Sequence, residues 1–329
     1  MKKFLVLALF LAACSSPSAA SSPTPSASGP TVSPSQSPSP TASPSATPSP
    51  TPIVLPSTAE LSAPSGNVVW ALVGGTRLFR SNDRGETWSE RGVPAGLANV
   101  DIAFADDANG LLLSTGSPAS QCQTQTVKLY KTADGAATWT QITATGIADA
   151  MCKNGLAVAD ATHAFFAASD PNDPAVVYRS ADAGSTWQAS GPLAGRSAAV
   201  YNTPGRPRAF GSVVLIDATP SQQSRGVFQS SDGGATFGLV SAAPIVESPV
   251  AFVTQTRWLQ LGPPASSKET TDGGASWHAF TTDYSQAAPI AADVVFGDAS
   301  VGYATVRGEI QRTIDGGAHW TKIKTPGTA

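Results

Sequence analysis

From about residue 58 onward, apolar residues fall in short alternating runs separated by clusters of Gly, Asp, Asn, Ser and Thr. Runs that short predict β-strands, and the turn-forming clusters between them predict hairpins. The second unit shows the pattern best. There, 100–104 predicts an inner strand, 110–114 a second, 127–130 a third and 139–142 an outer one. The same succession returns at 294–296, 302–305, 310–312 and 320–323. No helical periodicity of useful length follows the first thirteen residues. The predicted fold class is therefore all-β.

One octapeptide punctuates this pattern six times. Its rule is hydroxyl, any residue, Asp, any residue, Gly, any residue, Thr or Ser, aromatic. The copies are Ser81, Asp83, Gly85 and Trp88; Thr132, Asp134 and Trp139; Ser180, Asp182, Gly184 and Trp187; Ser230, Asp232, Gly234 and Phe237; Thr270, Asp272, Gly274 and Trp277; and Thr313, Asp315, Gly317 and Trp320. Copy two has Ala136 where Gly is expected and Gly135 one place early, and copy four has Phe237 for Trp. The aromatics recur 40 to 51 residues apart, a spacing that marks a repeat architecture. Each copy follows an apolar run and precedes another, so it reads as a hairpin tip. Glycine supplies positive φ there, and the Asp and hydroxyl side chains bond nearby backbone N–H groups. The six aspartates are read as turn stabilisers. Catalysis is a poor reading, because equivalent places on successive repeats spread around a ring and do not converge as a glycosidase's carboxylate pair must.

The six copies resemble the Asp-box, or BNR, repeat of bacterial sialidases, sortilin-type receptors and photosystem II assembly factors. The resemblance covers about residues 58–329 and implies a β-propeller with one four-stranded blade per repeat, the box lying on the turn between the third and fourth strands. At roughly 45 residues per repeat, six blades are expected, with a seventh lacking the octapeptide as the alternative. Ring closure is open at this point. The stretch 58–62 serves either as the inner strand of the first blade or as an outer strand of the last.

The chain opens Met1-Lys2-Lys3, followed by an apolar run and then Leu11-Ala12-Ala13-Cys14. That is a secretory signal over 1–13, too short to span a bilayer. Its end resembles the bacterial lipobox, which implies lipid attachment at Cys14. The expected location is outside the cell membrane, or on the outer membrane where the cell has one. Residues 14–57 are almost wholly Ser, Pro, Thr and Ala after the Cys, with nothing to bury, and predict a disordered, extended stalk. The propeller is assigned to 58–329.

Cys122 and Cys152 are the other two cysteines. In the blade scheme they fall in loops that emerge on one face, and an exported chain favours a Cys122–Cys152 disulfide over two free thiols. The net charge is −3, only 13% of residues are charged and no basic cluster occurs, which excludes nucleic acid as a specific partner. His163, His278 and His319 are scattered, so no metal site and no cofactor are expected.

Two functions follow from the resemblance. One is a non-catalytic scaffold, probing an envelope protein or glycan with the loops between second and third strands and between blades. A lone, monomeric propeller of this kind is closest in layout to the photosystem assembly factors. Candidate binding residues on that loop face are Lys153, Arg196, Arg225, Tyr284 and Arg307. The other is a sialidase-like glycosidase, which would need an arginine triad and a Tyr–Glu pair. Its Arg-Ile-Pro signature is absent. The nearest likeness, Arg206-Pro207-Arg208, is expected away from the pocket. No pair between Tyr201, Tyr284 or Tyr303 and Glu247 or Glu309 follows from spacing. The scaffold reading is preferred, with no catalytic residue assigned.

Overall fold

The computed structural model describes residues 51–55, 57–120, 122–195, 199–220, 225–262, 266–284 and 293–329. Cys14, the signal sequence and the stalk up to residue 50 lie outside the described residues, as does Arg196.

The described strands form six antiparallel sheets, each built from consecutive segments of one repeat. Arranged as blades in a ring, they make a β-propeller. The inner strands are Ala59–Ser62, Val100–Phe104, Cys152–Val158, Tyr201–Pro204 with Arg208–Phe210, Ala251–Phe252 and Asp293–Phe296. Each second strand is almost wholly buried, as in Val69–Val73, Gly110–Thr115 and Gly302–Val306. Outer strands such as Thr140–Ile142 are short and exposed, which limits the open edge they offer to another chain.

The core lies in the seams. Six clusters of buried side chains each join two successive blades. Between blades 1 and 2, Trp70 stacks on Phe104 with ring centroids 3.7 Å apart and planes within 4°. The octapeptide's aromatic packs back towards the preceding blade. Trp139 joins the seam between blades 1 and 2 and donates its indole N–H to Gly92 O at 2.8 Å. Trp88, in blade 1, packs into the seam with blade 6 that contains Tyr303 and so helps close the ring, but its indole N–H meets no acceptor among the described residues.

Closure resolves the alternative left by the sequence. Residues 59–62 form the inner strand of blade 1, pairing Leu61 with Ala71. The clasp comes from just upstream, in a stretch that the sequence assigns to the stalk. Ile53 bridges Thr328 in parallel and donates its amide to Gly327 O at 2.8 Å, and Ser57 N donates to Arg307 O at 3.0 Å. Among the described residues, no blade borrows a strand from the far end of the chain.

Blade 4 departs from the pattern. Its inner strand is split into Tyr201–Pro204 and Arg208–Phe210, both paired to Val213–Pro220. Pro207 lacks the N–H a continuous ladder needs, so Gly205-Arg206-Pro207 bows out of the sheet. Glycines make room for the bow. A Cβ on Gly205 would lie 2.1 Å from Asp217 Oδ1, and one on Gly155, at φ +69°, 3.0 Å from Arg206 Cα.

Candidate functional site

The bow in blade 4 delivers Arg206 to the ring axis. There a cavity of about 320 Å³ is lined by residues from all six inner strands. Arg206 donates to Asp101 Oδ1 at 3.0 Å and to Leu61 O at 3.2 Å, and lies 3.9 Å from both Glu60 Oε2 and Asp293 Oδ2. One guanidinium thus ties blade 4 to blades 1, 2 and 6. Asp101 also accepts the Leu156 amide at 2.6 Å, adding blade 3. Beside it, Arg208 donates to Phe296 O at 2.7 Å.

Three acids around one arginine leave an excess of negative charge in a confined space. Burial, reinforced by the charge of Asp101 and only partly offset by Arg206, pushes the Glu60 carboxyl up to about 9, so it is protonated at neutral pH. Burial also raises Asp293, against the pull of Arg206. For Arg206 burial works against the charge, yet Asp101, Asp293 and Glu60 together raise its pKa further. Arg208 moves the other way, lowered by burial and by the nearby charge of Arg206.

The octapeptides form a second set of polar sites, on the turns between third and fourth strands. All six adopt one hydrogen-bonding scheme. In the first, Ser81 Oγ donates to Asp83 Oδ1 at 2.7 Å and accepts the Gly85 amide at 2.8 Å, while Asp83 accepts the Thr87 amide at 2.9 Å and its hydroxyl. In the sixth, His319 takes the place of the hydroxyl residue, its imidazole Nδ1 meeting Asp315 Oδ2. The fourth and fifth positions are left-handed in every copy, including Ala136 at φ 60° in copy two. Bonds from Ser81 and Thr87 hold Asp83 at about 2, and bonds from Thr138 and Thr132 do the same for Asp134. Asp182, Asp232 and Asp272 are lowered by bonds from Thr186, Thr236 and Ser276. At Asp315 burial opposes ionisation, but the His319 amide and ring outweigh it and bring the carboxyl to about 2. These carboxylates are engaged within their own turns.

The loop-face candidates do not come together. Lys153 is buried, and its ammonium donates to the carbonyls of Gln125, Asp149 and Ala150 at 2.9 to 3.0 Å. Arg225 pairs with buried Asp217 and donates to Val246 O at 3.1 Å, joining blade 4 to the approach of blade 5. Tyr284 is 1% exposed and packs edge-on against Trp320 at 5.3 Å; burial pushes its phenol up to about 12. Arg307 is exposed, at φ 53° beside Gly308. The side chains of Lys153 and Arg225 thus hold loops in place and are not presented to a ligand. Cys122 and Cys152 are joined by a disulfide, Cα to Cα 5.0 Å, which pins the long loop of blade 2 to the first residue of blade 3's inner strand.

Arg206 and Arg208 correct the sequence expectation: they lie on the axis. Glu60, Asp101 and Asp293 were not singled out by sequence reasoning. The available signals were a lone acid in the apolar run 100–104 and a proline inside a segment that had to be an inner strand. Tyr201 and Tyr303 are buried in the seams between blades 3 and 4 and blades 6 and 1, and Glu247 is exposed. No tyrosine among the described residues meets a glutamate on the axis.

No protein-family profile matches the chain, and no curated protein matches its sequence. Solved structures resemble its fold. A protein of unknown function from Dyadobacter fermentans is 13% identical, with 79% of this chain and 91% of that one covered and a TM-score of 0.52. A triple arginine variant of AofleA from Arthrobotrys oligospora is 13% identical, with 82% and 87% covered and a TM-score of 0.52. YCF48 from Cyanidioschyzon merolae is 17% identical over 84% and 86%, with a TM-score of 0.48. At such identities the likeness establishes the propeller fold alone.

Proposed function

We propose that this chain is an exported lipoprotein of the Asp-box type, acylated at Cys14 and held outside the cell membrane, or on the outer membrane where there is one, by a stalk over 14–57. Its propeller is a non-catalytic scaffold that binds a protein or glycan of the envelope through the loop face. One observation carries the scaffold reading. Arg206, at the centre of the axis where a propeller enzyme would assemble its chemistry, is hydrogen-bonded to Asp101 and Leu61 of other blades and lies beside Glu60 and Asp293. Arg206 is engaged by Asp101 and the Leu61 carbonyl within the ring, and the described tyrosines are packed into seams or loops.

Protonated Glu60 beside Asp101 is the observation that favours the competing glycosidase reading, since an acid and a base are paired there. A panel of fluorogenic glycosides, including a sialoside, decides between the two when offered to the mature chain. No turnover is expected. Turnover abolished by Glu60→Gln or Asp101→Asn would overturn the scaffold reading and put the chemistry on the axis. The anchor is tested separately by metabolic labelling with a palmitate analogue: the wild type incorporates it and Cys14→Ser does not.

A further inference from the structure

On the octapeptide face three of the six seams are bridged by arginines among the described residues. Those between blades 2 and 3, 3 and 4, and 4 and 5 carry no such bridge: Arg179, at the pre-octapeptide position of blade 3, bonds Gln188 of its own blade, and blade 4 has Gln229 there. From blade 1, Arg80 Nη1 donates to Asp107 O of blade 2 at 2.9 Å. From blade 6, Arg312 Nη1 donates to Arg84 O of blade 1 at 2.7 Å. From blade 5, Arg257 reaches Gly316 O at 2.8 Å and Ala299 O at 3.4 Å, both on blade 6. The acceptors occupy two equivalent places. Asp107 and Ala299 lie in the turn between first and second strands, each followed by the residue whose carbonyl accepts the octapeptide's fourth amide. Arg84 and Gly316 are themselves that fourth residue.

On blade 3 the same two places are Ala161 and Ala183, aligned by the bond from Ala183 N to Thr162 O at 2.8 Å. The residue of blade 2 that should reach them, at the position of Arg80 and Arg312 just before the octapeptide, is Lys131. Lys131 is exposed and makes no hydrogen bond or ion pair among the described residues. A cleft of about 350 Å³ opens there instead, with Lys131, Ala161 and Ala183 in its wall. Neither alanine carbonyl accepts a hydrogen bond among the described residues. The carboxylates of Asp134 and Asp160 line the same cleft and outnumber the single lysine. Both remain ionised at neutral pH. The Thr138 and Thr132 bonds hold Asp134 down, and for Asp160 the amides of Thr162 and His163 overcome the opposing effect of burial.

We propose that the cleft between blades 2 and 3 is a guanidinium seat that takes an arginine side chain presented by a partner polypeptide. The molecule supplies the template at three seams, where a guanidinium is inserted onto a carbonyl of the next blade's turns, and Arg257 shows the full fork spanning both carbonyl places. An ammonium is a poorer fit, since its donors do not lie in a plane that spans two carbonyls. The site lies on the face opposite the loop face and does not depend on what that face binds.

The test uses the mature chain, isotopically labelled, with N-acetylarginine amide, a short peptide carrying a central arginine, and the lysine counterparts of both. Shifts confined to the amides near Ala161, Thr162 and Ala183 are expected with the arginine probes, and at least tenfold weaker binding with the lysine ones. Lys131→Arg fills the seat from within, so it is expected to weaken binding at least tenfold while raising the melting temperature. Lys131→Ala leaves the seat open, removes the repelling charge and tightens binding. The proposal is overturned by no shift at millimolar probe, by equal binding of lysine probes, or by unchanged binding in Lys131→Arg.

Discussion

Asp272 shows what the repeated turn asks of single residues. Its carboxylate accepts the Ser276 amide and hydroxyl and the Thr270 hydroxyl, so only the ionised form fits. A carboxyl whose pKa is lowered on folding contributes stability in full above its unfolded value. That contribution is lost as pH falls through the folded value. The octapeptide aspartates therefore predict stability that declines from about pH 4 towards about pH 2. Glu60 acts in the opposite sense. Its folded value, about 9, lies above the unfolded one, so its stabilising effect is complete below about pH 4.5 and is lost as pH rises towards 9. The melting temperature should peak in mildly acidic buffer. Glu60→Gln should move that peak towards neutrality and raise stability at pH 8 by only roughly 1 kcal/mol, because the Glu60 side chain is 36% exposed and so partly screened by solvent. A thermal scan across pH checks both.

Steric demands at the turn are as local. Gly274 has φ +85°, and a Cβ there would sit 2.5 Å from Ser241 and 2.6 Å from Trp258. Gly274→Ala is expected to destabilise by about 2–4 kcal/mol in urea unfolding, combining left-handed strain with overpacking. Ala136 occupies the equivalent place at φ 60°, its methyl fully buried against Trp70 and its neighbours. Ala136→Gly relieves the strain but removes a packed methyl, so it is expected to stay within about 1 kcal/mol of wild type.

At the scale of elements, the informative piece is the broken inner strand of blade 4. Five of the six inner strands run unbroken, while this one gives up ladder hydrogen bonds at Pro207 to place Arg206 on the axis. Arg206→Ala would leave Asp101, Glu60 and Asp293 facing one another with no cation between them. The expected loss is about 3 kcal/mol or more. Arg206→Lys should recover only part of it, since an ammonium cannot reach Leu61 O and Asp101 in one plane. The disulfide acts on a loop element. Cys122→Ser with Cys152→Ser frees a 30-residue link, with an expected loss of about 3 kcal/mol in the same assay.

The whole molecule depends on how its ends meet. Each blade is complete in itself, so the seam between blades 6 and 1 is held by packing of Tyr303, Val301 and Ile310 against Leu61 and Phe79, and by the short clasp at Ile53 and Ser57. Arg77 adds a bond to Gly327 O at 3.2 Å. Removing residues up to 57 should lower the melting temperature and speed amide exchange first in Glu309–Thr313 and Arg77–Ser81, the strands on either side of that seam. Uniform exchange across all blades would show that the clasp contributes nothing.

Much of this architecture is legible in the residues themselves. Period-two apolar runs and an octapeptide with its own hydrogen-bonding scheme are local features, decided over about eight residues, so strands, turns and the count of six blades follow from reading along the chain. The place of each octapeptide aromatic against a neighbouring blade is legible for the same reason, with Trp187 buried and the other five half-buried. The axial cluster is not. Glu60, Asp101, Arg206 and Asp293 are separated by up to 233 positions and belong to four repeats, and only closure of the ring sets them within 4 Å of one guanidinium. The fate of Lys153 and Arg225 was equally hidden, because a charge in a loop sequence looks the same whether it faces water or caps carbonyls. Sequence determines what each repeat can form by itself. Tertiary structure alone decides which charges from different repeats share one low-dielectric space.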